Sequence, residues 1–294
     1  MKPTNGLAFA LGAYLLWGFF PLYWKLIVHV PPLEILAHRM VWSMVFLSTV
    51  LIARRRWDWL KTLKPRQIGT SALAALFLTS NWFLYIWAVN SGHVVETSLG
   101  YFINPLVNVV FGALILKEKP RPLQWGAIAV AGSGVLYLTF AHGKPPWIAL
   151  TLAITFGTYA LIKKKSHLGA VEGLVVESTV VLVPALTYLA YVHNHGLGAF
   201  GHVDAKTTAL LAFSGVATAL PLLFFAAAAR RLTLTSLGIV QYLAPSIQFA
   251  LGVFVYKEPF SIERLIGFAL IWLAVGLYSL ELLRHRRITN KLKP

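Results

Sequence analysis

Hydropathy along the chain alternates between long apolar runs and short polar breaks. Crossing the hydrocarbon core of a bilayer takes about 20 apolar residues at 1.5 Å rise each. By that rule the sequence predicts ten membrane-spanning helices, near residues 6–28, 33–53, 69–91, 97–116, 122–140, 146–162, 173–193, 207–229, 236–256 and 262–283. Proline, glycine, histidine or charge marks their ends, as in "VHVPPLE", "RRRWDWLKTLKPR", "KEKPRP" and "HGKPP". The first run exceeds the roughly 7–15 apolar residues of a signal peptide, so it is expected to stay as a span. The expected fold class is an all-α integral membrane protein.

The runs also repeat. The fourth ends "PLVNVVFGALILKEKP" and the ninth "PSIQFALGVFVYKEPF"; Pro105 to Glu118 and Pro245 to Glu258 are each thirteen steps, with Gly112 and Gly252 at the same place between. Upstream, "ETSLG" at 96–100 echoes "LTSLG" at 234–238, and "WGFFPLYWK" at 17–25 matches "FGTYALIKK" at 156–164 in its glycine and closing lysine. A unit with an odd number of spans enters the bilayer the second time from the other side. The sequence therefore predicts two five-helix repeats of inverted topology, residues 1–143 and 144–294. Secondary transporters commonly use this design, with the substrate site near the midplane between the repeats.

Composition agrees with the bilayer and excludes much else. The 294 residues are 57% hydrophobic and 12% charged, against about 25% charged in a soluble domain. With no cysteine, disulfides, thiolate catalysis and Cys-based zinc sites are out of reach. The net charge of +16 is spread as punctuation between apolar runs, which argues against a nucleic-acid surface. Twenty basic residues (Lys2, Arg54–Arg56, Lys61, Lys64, Arg66, Lys117, Lys119, Arg121, Lys163–Lys165, Arg230, Arg231, Arg284, Arg286, Arg287, Lys291 and Lys293) fall on the side of the termini. Lys144, Lys206, Lys257 and Arg264 fall on the other. Because basic loops stay inside, both termini are expected in the cytoplasm.

Candidate chemistry lies within the spans. Pro105 and Pro245 should kink their helices and free the carbonyls of Tyr101 and Gln241. Tyr101, Asn104 and Asn108 share one helical face, at the ninth-span positions of Gln241, Ala244 and Gln248. Such paired stripes either line a substrate cavity or bind neighbouring helices. Trp17, Arg39, Asn81 and Tyr85 join them as candidate cavity residues; buried aromatics either stack on a ligand or pack, and an arginine there recognises carboxylates. Glu34, His38 and Glu177 are candidates for proton coupling, since an imidazole titrates near pH 6.5. The other reading of Glu34 and His38 is a fixed i, i+4 pair. No HExxH motif or phosphate-binding loop is present, so neither a metal site nor a cofactor is expected, and an enzyme is disfavoured.

The blocks "EILAHRMVWS" (34–43), "NWFLYIWAVNSGHVVETSLGYFINPLVN" (81–108) and "AAARRLTLTSLGIVQYLAP" (227–245), in this order, resemble the EamA branch of the drug/metabolite transporter superfamily. The resemblance implies a bacterial inner-membrane carrier with a central cavity closed by alternating access. Members export amino acids, drugs, toxic analogues or other metabolites, some by exchange or with proton coupling. It supplies no single binding motif to carry over. The expected function is export of small amphipathic metabolites or drug-like compounds. The expected partners are a small-molecule substrate and lipid, not nucleic acid, and oligomeric state is left open. A passive channel and a non-transporting receptor or scaffold are the alternatives.

Overall fold

No water reaches the backbone inside a bilayer, so each apolar run must satisfy its own N–H and C=O groups, and a helix does so. The computed structural model describes residues 4–54, 58–166, 168, 170–229, 231–232, 237 and 239–291, and among these no strand occurs. The helices are α1 (Thr4–Gly18), α2 (Phe20–Lys25), α3 (Pro32–Arg54), α4 (Pro65–Asn90), α5 (Val94–Ile115) and α6 (Pro122–His142). The second half holds α7 (Trp147–Lys165), α8 (Ala170–Asn194), α9 (Ala205–Ala229), α10 (Leu243–Ala250) and α11 (Ile262–Lys291). Among the described residues eight segments are long and apolar enough to cross a membrane, and Trp147–Lys163 and Leu243–Val255 are two shorter apolar helices.

Prolines shape the helices in different ways. The first span is broken at Phe19 into α1 and α2. Pro21 has no N–H for the carbonyl of Trp17, four residues back, and the Gln248 side-chain amide donates to that carbonyl at 3.1 Å. Pro105 lies inside the continuous helix α5. Before Pro245 the chain makes a turn at 241–242, and after α10 it widens into a π-type turn over Leu251–Val255. Such wide turns mark places where a helix is not uniform.

Helix packing repeats under the exchange of α1/α2 with α7, α3 with α8, α4 with α9, α5 with α10, and α6 with α11. The pair α5–α7 has its mate in α1–α10, α3–α9 in α4–α8, and α1–α9 in α4–α7. The pairs α6–α11, α3–α8 and α5–α10 are their own mates. The glycines that matched in sequence make matching contacts. A Cβ on Gly18 would lie 2.8 Å from Ile247, and one on Gly157 would lie 3.0 Å from Val107. Ile247 and Val107 each stand two residues after the repeat's proline.

The loops 26–31, 91–93, 143–146, 195–204 and 256–261 gather at one end of the bundle. His29 meets Thr207 at 2.9 Å, the Tyr23 hydroxyl donates to the Leu210 carbonyl, and Ile148 N–H donates to Glu96 at 3.1 Å. We call this the sparsely basic end.

Candidate functional site

The centre of interest is Arg39 on α3. It is 2% exposed, and among the described residues no carboxylate pairs with it. Its Nε donates to Thr218 Oγ1 on α9 at 2.9 Å; Thr218 in turn donates to the Ser214 carbonyl at 2.8 Å. Its Nη1 has no hydrogen-bond partner. The guanidinium carbon lies 4.8 Å from the ring centre of Trp24 on α2 and 4.4 Å from that of Trp82 on α4. Cation–π attraction supplies about 2 kcal/mol or more to a desolvated cation, which offsets part of its burial.

Around it stand Tyr23, Tyr85 and Tyr101, whose phenols are neutral. Tyr85 packs on Tyr101 with ring centres 5.7 Å apart, and its hydroxyl has no partner. Tyr101 donates to Asn81 Oδ1 at 3.4 Å. Toward the sparsely basic end, Lys25 lies 5.3 Å from the Tyr256 ring centre, its Nζ 3.5 Å from the Asn90 carbonyl. The Trp24 indole N–H, the Tyr256 hydroxyl and the Asn90 side-chain amide have no partner either. Two cations and a set of unengaged donors thus share one aromatic surround.

Asn81, Asn104 and Gln248 turn to neighbouring helices, whereas Asn108 is exposed and bonds within α5. Asn81 donates to the Leu152 carbonyl and to Thr155 Oγ1, both at 2.9 Å on α7. Asn104 donates to the Ala153 carbonyl at 3.1 Å, and Asn108 to Asn104 Oδ1 at 3.3 Å. With Gln248 bound to the Trp17 carbonyl, the buried amides act as interhelix ties. Trp17 packs edge-on against Tyr14, ring centres 5.4 Å apart. Gln241 is partly buried in the turn that precedes Pro245, and both Pro105 and Pro245 are buried.

Of the three groups considered for proton coupling, Glu34 and His38 face each other on α3 and Glu177 is paired elsewhere. Glu34 accepts the Ala199 N–H at 2.6 Å and so holds the 195–204 loop. His38 lies 3.9 Å from Glu34 and stacks on Phe200 at 4.8 Å. Glu177 is ion-paired with Lys163 at 2.6 Å and accepts from the Tyr159 hydroxyl at 3.3 Å.

One polar device was not singled out from the sequence. Glu258 accepts the Val94 N–H at 2.7 Å and the Val95 N–H at 2.8 Å. It thus caps α5 from across the repeat boundary and satisfies two orphan donors at the positive end of the helix dipole. Lys257 and its counterpart Lys117 both have left-handed backbone, φ 55° and 56°, which turns the chain back. The N–H of Glu258 then reaches the Gly252 carbonyl, and that of Glu118 the Gly112 carbonyl, both at 3.0 Å. The repeated Lys-Glu spacing was the visible signal for this turn. The sequence counterpart of the start of α5, at 233–236 and 238, lies outside the described residues.

An apolar helical bundle around a buried cation with no acidic partner among the described residues is the framework of a multi-span membrane protein. The chain belongs to the EamA-like transporter family, whose model matches residues 4–140. Protein RarD of Streptomyces exfoliatus is 46% identical over 293 residues, covering 98% of this chain and 93% of that protein. The uncharacterized transporter YojE of Bacillus subtilis (strain 168) is 44% identical over 294 residues, covering 98% of each. In fold, a crystal structure matches with a TM-score of 0.61 at 20% identity, over 95% of this chain and 98% of the other.

Proposed function

We propose that this protein is a secondary carrier of the bacterial inner membrane that exports small amphipathic solutes by alternating access. The observation that carries this reading is the exchange of helix pairs between the two halves. It lets the bundle take two arrangements of similar energy that differ in which end is closed. The Glu258 cap on α5 acts as a latch at the sparsely basic end, which the positive-inside rule makes the outer face. Both termini then lie in the cytoplasm. Because Glu34, Glu177 and the buried amides have internal partners, solute exchange is favoured over proton coupling through those carboxylates.

Counterflow in proteoliposomes tests the reading. Vesicles are loaded with one unlabelled compound from a panel of amphipathic acids, amines and neutral analogues, and entry of its labelled form is followed. Transient accumulation above equilibrium is expected for at least one compound. Equilibration without overshoot indicates a passive pore, and silence with retained binding indicates a receptor or scaffold.

A further inference from the structure

The cluster around Arg39 extends the carrier reading, on which it rests, to the chemistry of the solute. A guanidinium removed from water normally has a carboxylate beside it, because an unpaired buried charge is costly. Inside a membrane such a residue marks a functional site by default. Arg39 has two indole faces against it and a threonine on Nε, which leaves the Nη1 edge as its unused donor. A planar carboxylate suits that edge, since guanidinium N–H groups lie in one plane and bind carboxylate oxygens in that plane. The tyrosine hydroxyl of Tyr85 is a further unpartnered donor in the same surround.

The embedded acids argue for the sign of the solute. Glu34 holds the Ala199 N–H, Glu96 the Ile148 N–H, Glu177 the Lys163 ammonium, and Glu258 the Val94 and Val95 N–H groups. Glu118 is also engaged. Both oxygens of Glu177 and of Glu258 are engaged. Among the described residues, the one buried carboxylate oxygen without a partner, Glu34 Oε2, belongs to the group that holds the 195–204 loop beside His38, while Arg39 and Lys25 both lack an acidic partner. We propose that the Nη1 edge of Arg39 binds the carboxylate of a monoanionic solute with a flat apolar body. Trp24, Trp82, Tyr85 and Tyr101 form the aromatic walls for that body, and solutes carrying an ammonium are rejected.

The test uses the full chain in lipid nanodiscs and four indole probes that differ in charge. These are indole-3-acetate, indole-3-acetamide, tryptophan and tryptamine, with binding read by calorimetry. The acetate should bind at least about tenfold more tightly than the other three, the scale of one charge-assisted hydrogen bond. Arg39→Gln should remove that preference. Arg39→Lys keeps a cation beside the indoles but loses the planar edge, and should weaken acetate binding by about tenfold. It serves as the folded control where Arg39→Gln elutes as aggregate. Equal or tighter binding of tryptophan or tryptamine overturns the proposal, as does unchanged acetate affinity in Arg39→Lys or no Arg39-dependent binding of the acetate at all. Binding is read without transport, so its failure is distinct from failure of the carrier reading. Counterflow of an amine would leave the carrier standing and sink the anion.

Discussion

Arg39 and Glu177 occupy matched positions, each five residues after the glutamate that opens its helix, Glu34 or Glu172. Each touches the residue six places after the glycine of the preceding span: Arg39 the Trp24 ring, Glu177 the Lys163 ammonium. The same architectural contact is thus a cation against an indole in one half and a closed ion pair in the other. At Glu177 the charge is neutralised within the protein. At Arg39 it stays available, which is why the substrate reading centres on the first half of the chain.

Opening the ion pair should be costly. Lys163→Met leaves Glu177, 3% exposed, without its cation, and should destabilise the protein by about 3 kcal/mol, the low end for a broken buried pair because Lys163 is partly exposed. The double variant Lys163→Met/Glu177→Leu should recover most of this. Thermal inactivation half-lives in detergent compare the two, and equal loss in both would refute the pair's role.

Removing the latch should open the outer end. Glu258→Ala leaves the first N–H groups of α5 uncapped, at a cost of about 1 kcal/mol to the closed arrangement. The chain has no cysteine, so Asn90→Cys is a clean reporter at that end. Its labelling by a membrane-impermeant thiol reagent should accelerate about fivefold in Glu258→Ala, the rate equivalent of that cost.

Glycine replacements separate close packing from free surface. A Cβ on Gly215 would sit 2.2 Å from the Trp42 carbonyl carbon and 2.5 Å from the Ser43 nitrogen. Gly215→Ala should therefore push α9 from α3 and cost about 1–3 kcal/mol or more. Gly126 has nothing within 4 Å of the same position, and Gly126→Ala should stabilise α6 by about 0.5–1 kcal/mol. Melting curves of the two variants should move in opposite directions.

Acid should loosen the start of α9. The Thr207 N–H donates to Asp204 Oδ1 at 2.6 Å, and this bond holds the Asp204 carboxyl below its usual range. The cap's contribution is full above the unfolded aspartate value, about pH 3.9, and is lost as pH falls through the lower folded value. Asp204→Asn should flatten this dependence in hydrogen exchange at 205–209, while the wild type should lose protection on acidification.

Much of the architecture was legible because hydropathy, charge and the Pro-to-Glu spacing are local properties. The ten runs and the paired glycines follow from them directly. Less legible were effects that depend on which helices meet. The stripe of Tyr101, Asn104 and Asn108 is visible on one face, but not that α7 lies against it and supplies the Ala153 carbonyl. Nor does the sequence show that α2 and α4 bring Trp24 and Trp82 together on Arg39. The break at Phe19 needed Pro21 to be weighed with Gln248, over two hundred residues away, which takes the freed carbonyl of Trp17.

The self-mated contacts have an ancestral implication. Where α6 meets α11 and α3 meets α8, each helix packs on its own counterpart, as the same patch does on both sides of an isologous dimer interface. A single five-helix subunit inserted both ways round would make these contacts with itself, and the 143–146 link joins what would otherwise be two chains. A homodimer must carry either two arginines or two glutamates at the matched site. The fused chain places Arg39 in one half and Glu177 in the other, so fusion lets a symmetric scaffold hold an asymmetric charge.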